Sequence, residues 1–588
     1  MINPSSHPTE NQRSLFGLAD AGASEEPAMA KRAPRSGGSG KAGKSAKSTA
    51  ASRAPKPAGA ASGRRRKAGE TKAHEMAAKQ REISVSEFFA KNRHLLGFDS
   101  KRKALLTTVK EAVDNALDAC EEAELLPTVH VIIEQVKNKE DRYRVTVGDY
   151  GPGIVNEQID LVFAKLLYGS KFHRLRQSRG QQGIGISAAG MYGQMTTGQP
   201  TLIRSRIGRK HDAHELNVRI DTVHNRPVRS GEKVFEWDRD HGTEVVIELE
   251  AKYHKGRGSV DDYIAQTAIA NPHVELLYWA PGEDKPLVYQ RATQDLPVAP
   301  KEIKPHPYGV ELGNLMKMMK VTKSTKLSGF LTHDFSRVSS KVAREICELA
   351  KLDPGSRVKA LQHNSAEALH DAIQKVKIMA PPTDCLSPIG EELIRAGLAK
   401  EIGEAEFFVS RTRSPSVYRG NPFQIEVGVA LGGNLPADEP VRLMRFANRV
   451  PLQHQPGACA MTKAVTGVDW KGYGLQQPRG ALPVGPVILM VHIASAWVPF
   501  TSESKEAVAS YPEILKELKL ALQECGRQMQ KFLRRRARVA DEMKKRDYIN
   551  RYLPHIGEAL RDILDLDEQK VDTLVAELRD TLERSRKL

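Results

Sequence analysis

Residues 101–123 read KRKALLTTVKEAVDNALDACEEA, and the order of apolar and polar residues within them decides how the rest of the chain is read. Leu106, Val109, Val113, Leu117 and Cys120 recur at the spacing that lines one side of an α-helix. Asp99 or Ser100, just ahead of them, supplies the N-cap. Glu111, Asp114, Asn115 and Asp118 stand at i, i+3, i+4 and i+7 and share the other side. Acids and an amide on one stripe are what any solvated helix face carries. They are also what a site for a hard cation needs: the Asn115 amide oxygen suits Mg2+, and Glu111 one turn away can take a proton from water. The helix alone does not choose between the two.

Two strands follow, VHVIIEQV and RYRVTVGDY, joined by the charged turn KNKED. The second runs into Gly148-Asp149-Tyr150-Gly151-Pro152-Gly153-Ile154. Gly151 and Gly153 let backbone turn and approach a ligand closely, and Asp149 at the strand end accepts hydrogen bonds from a planar donor such as an adenine amino group. Further on, SKFHRLRQSRGQQGIGISAAGMYG sets Gly180, Gly183 and Gly185 ahead of a small-residue helix start at Ser187. Free N–H groups at a glycine-rich helix N-terminus form an anion site, and Lys171 and Arg179 beside them favour phosphate. The spacing is neither that of a P-loop nor that of a Rossmann nucleotide binder. With strands expected at TLIRSRI, HELNVRI and TEVVIELE, the pattern is an α+β layered sandwich without strict β–α alternation.

Residues 302–385 lack strand patterns and show helical apolar spacing, as a small helical insert would. Strands resume at EFFVS, FQIEVGVAL, VRLMRFA and PVILMVHIA. A long helix is expected from Glu503 to about Val539, capped by Thr501 or Ser502, with Tyr511-Pro512 marking a kink or an initial break. Lys505 would then sit in its first turn, against the helix dipole. Contact with a γ-phosphate is one purpose for such a lysine; pairing with a neighbouring glutamate is another. The C-terminal stretches read as amphipathic helices that pack on something.

The bulk composition narrows the classes. At 588 residues the chain exceeds what one core serves, and an apolar share of 40% with 27% charged residues is ordinary for a water-soluble protein. No run reaches the roughly 18 apolar residues needed to span a bilayer, and no secretory leader is legible, so no membrane role and a cytoplasmic address are expected. Five scattered cysteines fit neither a zinc ribbon nor a disulfide scaffold and read as reduced thiols. Between Lys31 and Lys72 there are thirteen Lys or Arg and one acid, so twelve of the seventeen net positive charges sit in this Ala, Gly, Ser and Pro-rich stretch. It reads as a disordered basic tail, either a solubilising extension or a non-specific DNA-binding arm.

Together, EAVDNALDAC, DYGPGI, RGQQGIGISAAGMYG and a distant lysine resemble the GHKL (Bergerat) ATPases. Within that superfamily, YGSKFHRLRQSRGQQGIGISAAGMYGQM, YGLQQPRGALPVGP and VHIASAWVPFTSESKEAVA are similar to the B subunits of type IIB DNA topoisomerases (DNA topoisomerase VI), from about residue 80 to the C-terminus. The disordered basic tail at 1–75 lies outside the resemblance, which implies an α+β multidomain chain: a GHKL sandwich ATPase domain at 76–301, a helix-two-turn-helix domain at 302–385, a ribosomal S5-like transducer with a long C-terminal helix at 386–537, and a helical extension at 538–588. It implies Glu111 as the base for water and Asn115 as the Mg2+ ligand. Asp149 would read adenine with support from Thr243, and Gly151 and Gly153 would frame it. The nucleotide lid would be Arg179, Gly180, Gln181, Gln182, Gly183, Ile184, Gly185, Ile186 and Ser187, with Ser170 and Lys171 nearby. Lys505 would touch the γ-phosphate. It further implies ATP with Mg2+, ATP-dependent dimerisation of B, an A subunit that cleaves double-stranded DNA within an A2B2 heterotetramer, and association with the nucleoid.

Overall fold

The computed structural model describes residues 76–77, 84–169, 174–180, 183–403 and 405–585. The basic tail at 1–75 and the expected site residues Ser170, Lys171, Gln181 and Gln182 lie outside the described residues. Ser100 accepts a hydrogen bond from the Lys103 amide at 3.3 Å, satisfies one orphan donor of the first turn, and starts the helix Lys101–Glu122, the site helix below. Its apolar side, with Leu105, Val109, Val113, Leu117 and Cys120, is buried.

That side packs on an eight-stranded sheet made of β1 (Thr128–Gln135), β2 (Arg142–Asp149), β3 (Thr201–Arg206), β4 (Ala213–Asp221), β5 (Arg226–Phe235), β6 (Gly242–Glu250), β7 (Glu275–Trp279) and β8 (Leu287–Tyr289). The spatial order is β5-β4-β3-β6-β2-β1-β7-β8, antiparallel throughout except for β1 with β7. Alternate residues face the helices: Val129, Val131 and Ile133 on β1, Tyr143, Val145 and Val147 on β2, Val245, Ile247 and Leu249 on β6. The helix Gly185–Thr197 covers β6 on the same face, and Val260–Ala270 lies beyond the site helix. The expected strands are present. Sequence reading missed β5, which is mostly exposed and polar, and the short β7 and β8.

Four helices, Leu312–Val321, Leu327–Asp334, Ser340–Ala350 and His363–Lys375, enclose a separate core around Leu315, Phe330, Leu331, Ile346 and Leu369. A second sheet follows: β9 (Phe407–Thr412), β10 (Ser416–Tyr418), β11 (Asn421–Leu431), β12 (Arg442–Ala447), β13 (Val450–Pro451) and β14 (Val487–Ser495). β14 lies between β11 and β12, parallel to β12, and is buried along its whole length. Its unbroken apolar run follows from being covered on both faces. The helix Glu391–Ile402 covers one face, and Ile514, Leu518, Leu522 and Met529 of the long helix cover the other.

The long helix corrects the sequence reading. It spans Pro512–Leu564, with Tyr511 at its N-cap, and does not begin near Glu503 or end near Val539. Pro512 is its first residue, where a missing N–H costs nothing. Thr501 and Ser502 cap no helix; the chain from 501 to 511 is a loop, bridged between Phe500 and Val508. Past Met529 the helix runs on, mostly exposed, and pairs with the helix Glu568–Ser585. All five cysteines are free and buried. Among the described residues no helix is long and apolar enough to cross a membrane.

Candidate nucleotide site

The inner face of the first sheet is apolar until its end, where one rung turns polar. Asp149, Thr243 and Ser205 stand side by side on β2, β6 and β3 and are all buried. Asp149 Oδ1 accepts from the Gly151 amide at 2.8 Å and the Thr243 amide at 3.2 Å, while Ser205 Oγ and Thr243 Oγ1 lie 3.3 Å apart. Burial pushes the Asp149 carboxyl up to about 6, with the two backbone N–H groups pulling the other way. Gly153 turns the chain with φ +71, and its Cα lies against the Arg206 carbonyl, where a Cβ would meet oxygen at 2.1 Å.

The polar side of the site helix forms the adjoining wall, and its acids divide into two uses. Glu111 sits half-buried against Gly185, the first residue of the helix Gly185–Thr197, so closely that a Cβ there would lie 1.7 Å from Glu111 Oε2. The N-terminal end of that helix is electropositive and favours a carboxylate. Asn115 is exposed to the cavity. Asp114 and Asp118 are buried instead. Asp114 accepts from Tyr263 Oη at 3.1 Å, and burial pushes its carboxyl up to about 7.

Asp118 faces Arg179. The Arg179 guanidinium, 4% exposed, donates to Asp118 Oδ1 (2.9 Å), to both oxygens of Glu121 (2.8 and 2.6 Å) and to Asn271 Oδ1 (2.6 Å). Burial disfavours charge on Glu121, yet Arg179 and the His273 ring at 2.7 Å outweigh it and hold the carboxyl well below the usual range. The two terminal nitrogens of Arg179 are thus engaged by protein, its Nε is buried without a partner, and its side chain does not line the cavity. Its backbone does act there: Gly180 N donates to Asp118 Oδ2 at 3.3 Å, and the Arg179 carbonyl accepts from Lys505 Nζ at 3.3 Å. Lys505 reaches it from the loop before the long helix, in left-handed backbone with φ +53.

These groups surround a cavity of about 690 Å3, within the range of small-molecule sites. Glu111, Asn115, Asp149, Gly153, Gly180, Gly183, Ile184, Gly185, Ile186, Thr243 and Lys505 all line it. Gly151 and Ser187 lie just behind: Gly151 supports Asp149, and Ser187 is buried in its helix. Sequence reading missed Lys110, Tyr263, Gln453, His454 and Glu506, which also line it. Glu506 makes an ion pair at 3.2 Å with Lys103 from the first turn of the site helix. Lys110 was legible as the neighbour of Glu111; the others have no local pattern. Among the described residues no three His, Cys, Asp or Glu side chains form a metal cage.

A largely antiparallel sheet roofed by helices, with an acidic site helix, a glycine loop and a lysine arriving from a second domain, defines a GHKL-type ATPase joined to a transducer. Residues 100–252 match the family described as histidine kinase-, DNA gyrase B-, and HSP90-like ATPase, and residues 381–545 match the topoisomerase VI B subunit transducer family. The B subunit of type 2 DNA topoisomerase 6 from Methanococcoides burtonii is 52% identical over 511 residues, covering 87% of this chain and 82% of that protein. Its namesake from Archaeoglobus fulgidus is 45% identical over 506 residues, covering 86% and 83%. The chain belongs to the B-subunit family of type 2 DNA topoisomerase 6.

Proposed function

We propose that the cavity binds ATP with Mg2+ and hydrolyses it, and that turnover times the passage of one DNA duplex through another. The observation that carries this reading is the convergence of Glu111, Asp149 and Lys505 on one cavity from the site helix, a strand end and a loop of the second domain. Asp149 accepts from the adenine amino group, with Thr243 beside it. The amides of Gly183, Ile184 and Gly185, at a helix N-terminus, face the phosphates. Glu111 takes a proton from the attacking water as the bond between the γ-phosphorus and its bridging oxygen breaks, and ADP leaves. Lys505 neutralises charge on the γ-phosphate. The donor set fits Mg2+, which keeps several waters and takes oxygen from one or two protein groups and from phosphates. Asn115 is the protein oxygen that would hold it, and the ion would supply charge neutralisation across the phosphates.

Because nucleotide touches both domains, it favours the arrangement in which they close, and closure pairs two copies of this chain around DNA. An A subunit cleaves the duplex in an A2B2 assembly. The helices within 302–385 are the family's helix-two-turn-helix domain, 386–537 an S5-like transducer, and 538–588 its helical extension. The basic tail adds DNA affinity, and the address is cytoplasmic and nucleoid-associated.

Glu111→Ala tests the chemistry: nucleotide binding persists and turnover drops by about 10²-fold or more, whereas wild-type ATPase in the variant would remove Glu111 as base. Mixing the chain with its A subunit and supercoiled plasmid tests the whole. ATP-dependent relaxation supports the reading; relaxation without ATP, or none, overturns it.

A further inference from the structure

The residues that enter the glycine loop are tied, one after another, to both ends of the helical insert and to the second sheet's domain. The Leu175 carbonyl accepts from Ile303 N at 3.1 Å, where the helical insert begins. Gln177 donates from its amide to the Cys385 carbonyl at 2.9 Å, and its side chain pairs with the Ser387 backbone, donating at 2.9 Å and accepting at 2.7 Å, where the insert ends. The Ser178 carbonyl accepts from Asn448 Nδ2 at 3.0 Å, and Arg179 carries the contacts to the site helix, Asn271 and Lys505. Gly180 then opens onto the cavity.

The hairpin that receives this segment is strained. Ala447 pairs with Val450, so Asn448 and Arg449 form a two-residue turn in which both φ are positive, +49 and +67. Such turns favour Asn followed by Gly; an arginine in the second place is costly. Arg449 is also 6% exposed, and its guanidinium donates to Ser387 O (3.1 Å), Ser387 Oγ (3.0 Å) and Pro388 O (3.1 Å), all of them neutral. Its amide donates to His492 Nε2 at 3.0 Å, which leaves the His492 Nδ1–H for Glu426 at 2.8 Å, and its carbonyl accepts from Asn271 at 3.3 Å. Backbone strain and a buried cation that hydrogen-bonds only neutral oxygens, with the carboxylates of Glu121 and Glu426 acting on it through space, are a cost that a simple turn would avoid.

We propose that residues 174–180 carry the state of the nucleotide site to the joint between insert and transducer, with Arg449 as the positioning residue that holds this joint in register. The segment grips the joint at Ser387 through Gln177, and Arg449 grips the same residue from the transducer side. A rearrangement at Gly180 is therefore felt at Ser387, a switching route separate from Lys505. This rests on the ATPase reading above.

Arg449→Gly removes the guanidinium and relieves the φ strain together. If Arg449 were a turn residue only, the variant would keep turnover and melt at the same or a higher temperature. The proposal expects kcat for ATP to fall about tenfold with KM within about twofold. It also expects a split melt in which a nonhydrolysable ATP analogue raises only one transition, where the wild type responds as one unit. Gln177→Glu keeps the side chain's shape and its acceptance from Ser387 N but loses the donation to Ser387 O; it reads the same joint if Arg449→Gly does not fold. Wild-type kcat and a single analogue-responsive melt in the folded variants overturn the proposal. A wild-type chain without ATP turnover overturns the ATPase reading instead, and the melting comparison still decides the coupling.

Discussion

Asp149 ends an apolar row of β2 as a buried carboxylate held by two backbone amides. The cost of burying it is visible in its carboxyl, raised from 3.8 to about 6. A raised carboxyl binds its proton more readily in the folded chain, so its contribution to stability is full below about pH 4 and is lost as pH rises through about 6. Asp149→Asn keeps an acceptor oxygen for both amides and removes the charge. At pH 7.5 the variant should be more stable than the wild type by about 3 kcal/mol at most, and the gain should vanish near pH 4, as read from urea midpoints. Its affinity for ATP should fall about tenfold or more, because a bond to a charged acceptor is exchanged for one that also presents an N–H to adenine. Unchanged affinity by calorimetry would take adenine away from Asp149.

Among the elements, the long helix is anchored along only part of its length. From Ile514 to Met529 its apolar side is buried against the second sheet, whereas Met543 is 59% exposed. Leu518→Ala should therefore cost about 2–5 kcal/mol, and Met543→Ala less than about 0.5 kcal/mol, checked by denaturant unfolding. Equal costs would mean that the outer part is covered as firmly as the inner. The site helix, the first two strands and β14 were legible because periodicity, cap and turn chemistry are local. Ser100 caps as an N-cap serine should. The start of the long helix was misread because Thr501 and Ser502 carry cap chemistry as well. Proline's preference for the first helical position and the packing of Ile514 put the start at Pro512.

For the whole molecule, acid stability follows from carboxylates that burial alone would neutralise. In Glu244 burial is outweighed by His130 and Arg204, leaving its carboxyl at about 2; in Glu426 it is outweighed by His492, and in Glu121 by Arg179. Each is lowered on folding, so each contributes stability that is present above about pH 4.5 and is lost as pH falls through its folded value. The urea midpoint should fall steeply between pH 5 and pH 3. A midpoint that holds or rises over that range would show that these contacts do not persist in solution.

From the sequence alone came the site helix with its polar stripe, the strand ending in Asp149, the glycine loop and the helical insert, all written in spacings of a few residues. Which polar residues of the stripe serve the cavity was decided by the tertiary structure: Glu111 and Asn115 face it, while Asp114 and Asp118 are turned to Tyr263 and Arg179. The same holds for Arg179, read locally as a phosphate cation and found locked by Glu121 and Asp118. Lys505 finds its partner 326 residues away. Helical period and capping depend on neighbours in the chain, but the pairing of a charge depends on what burial brings beside it, and only the packed fold brings these domains together.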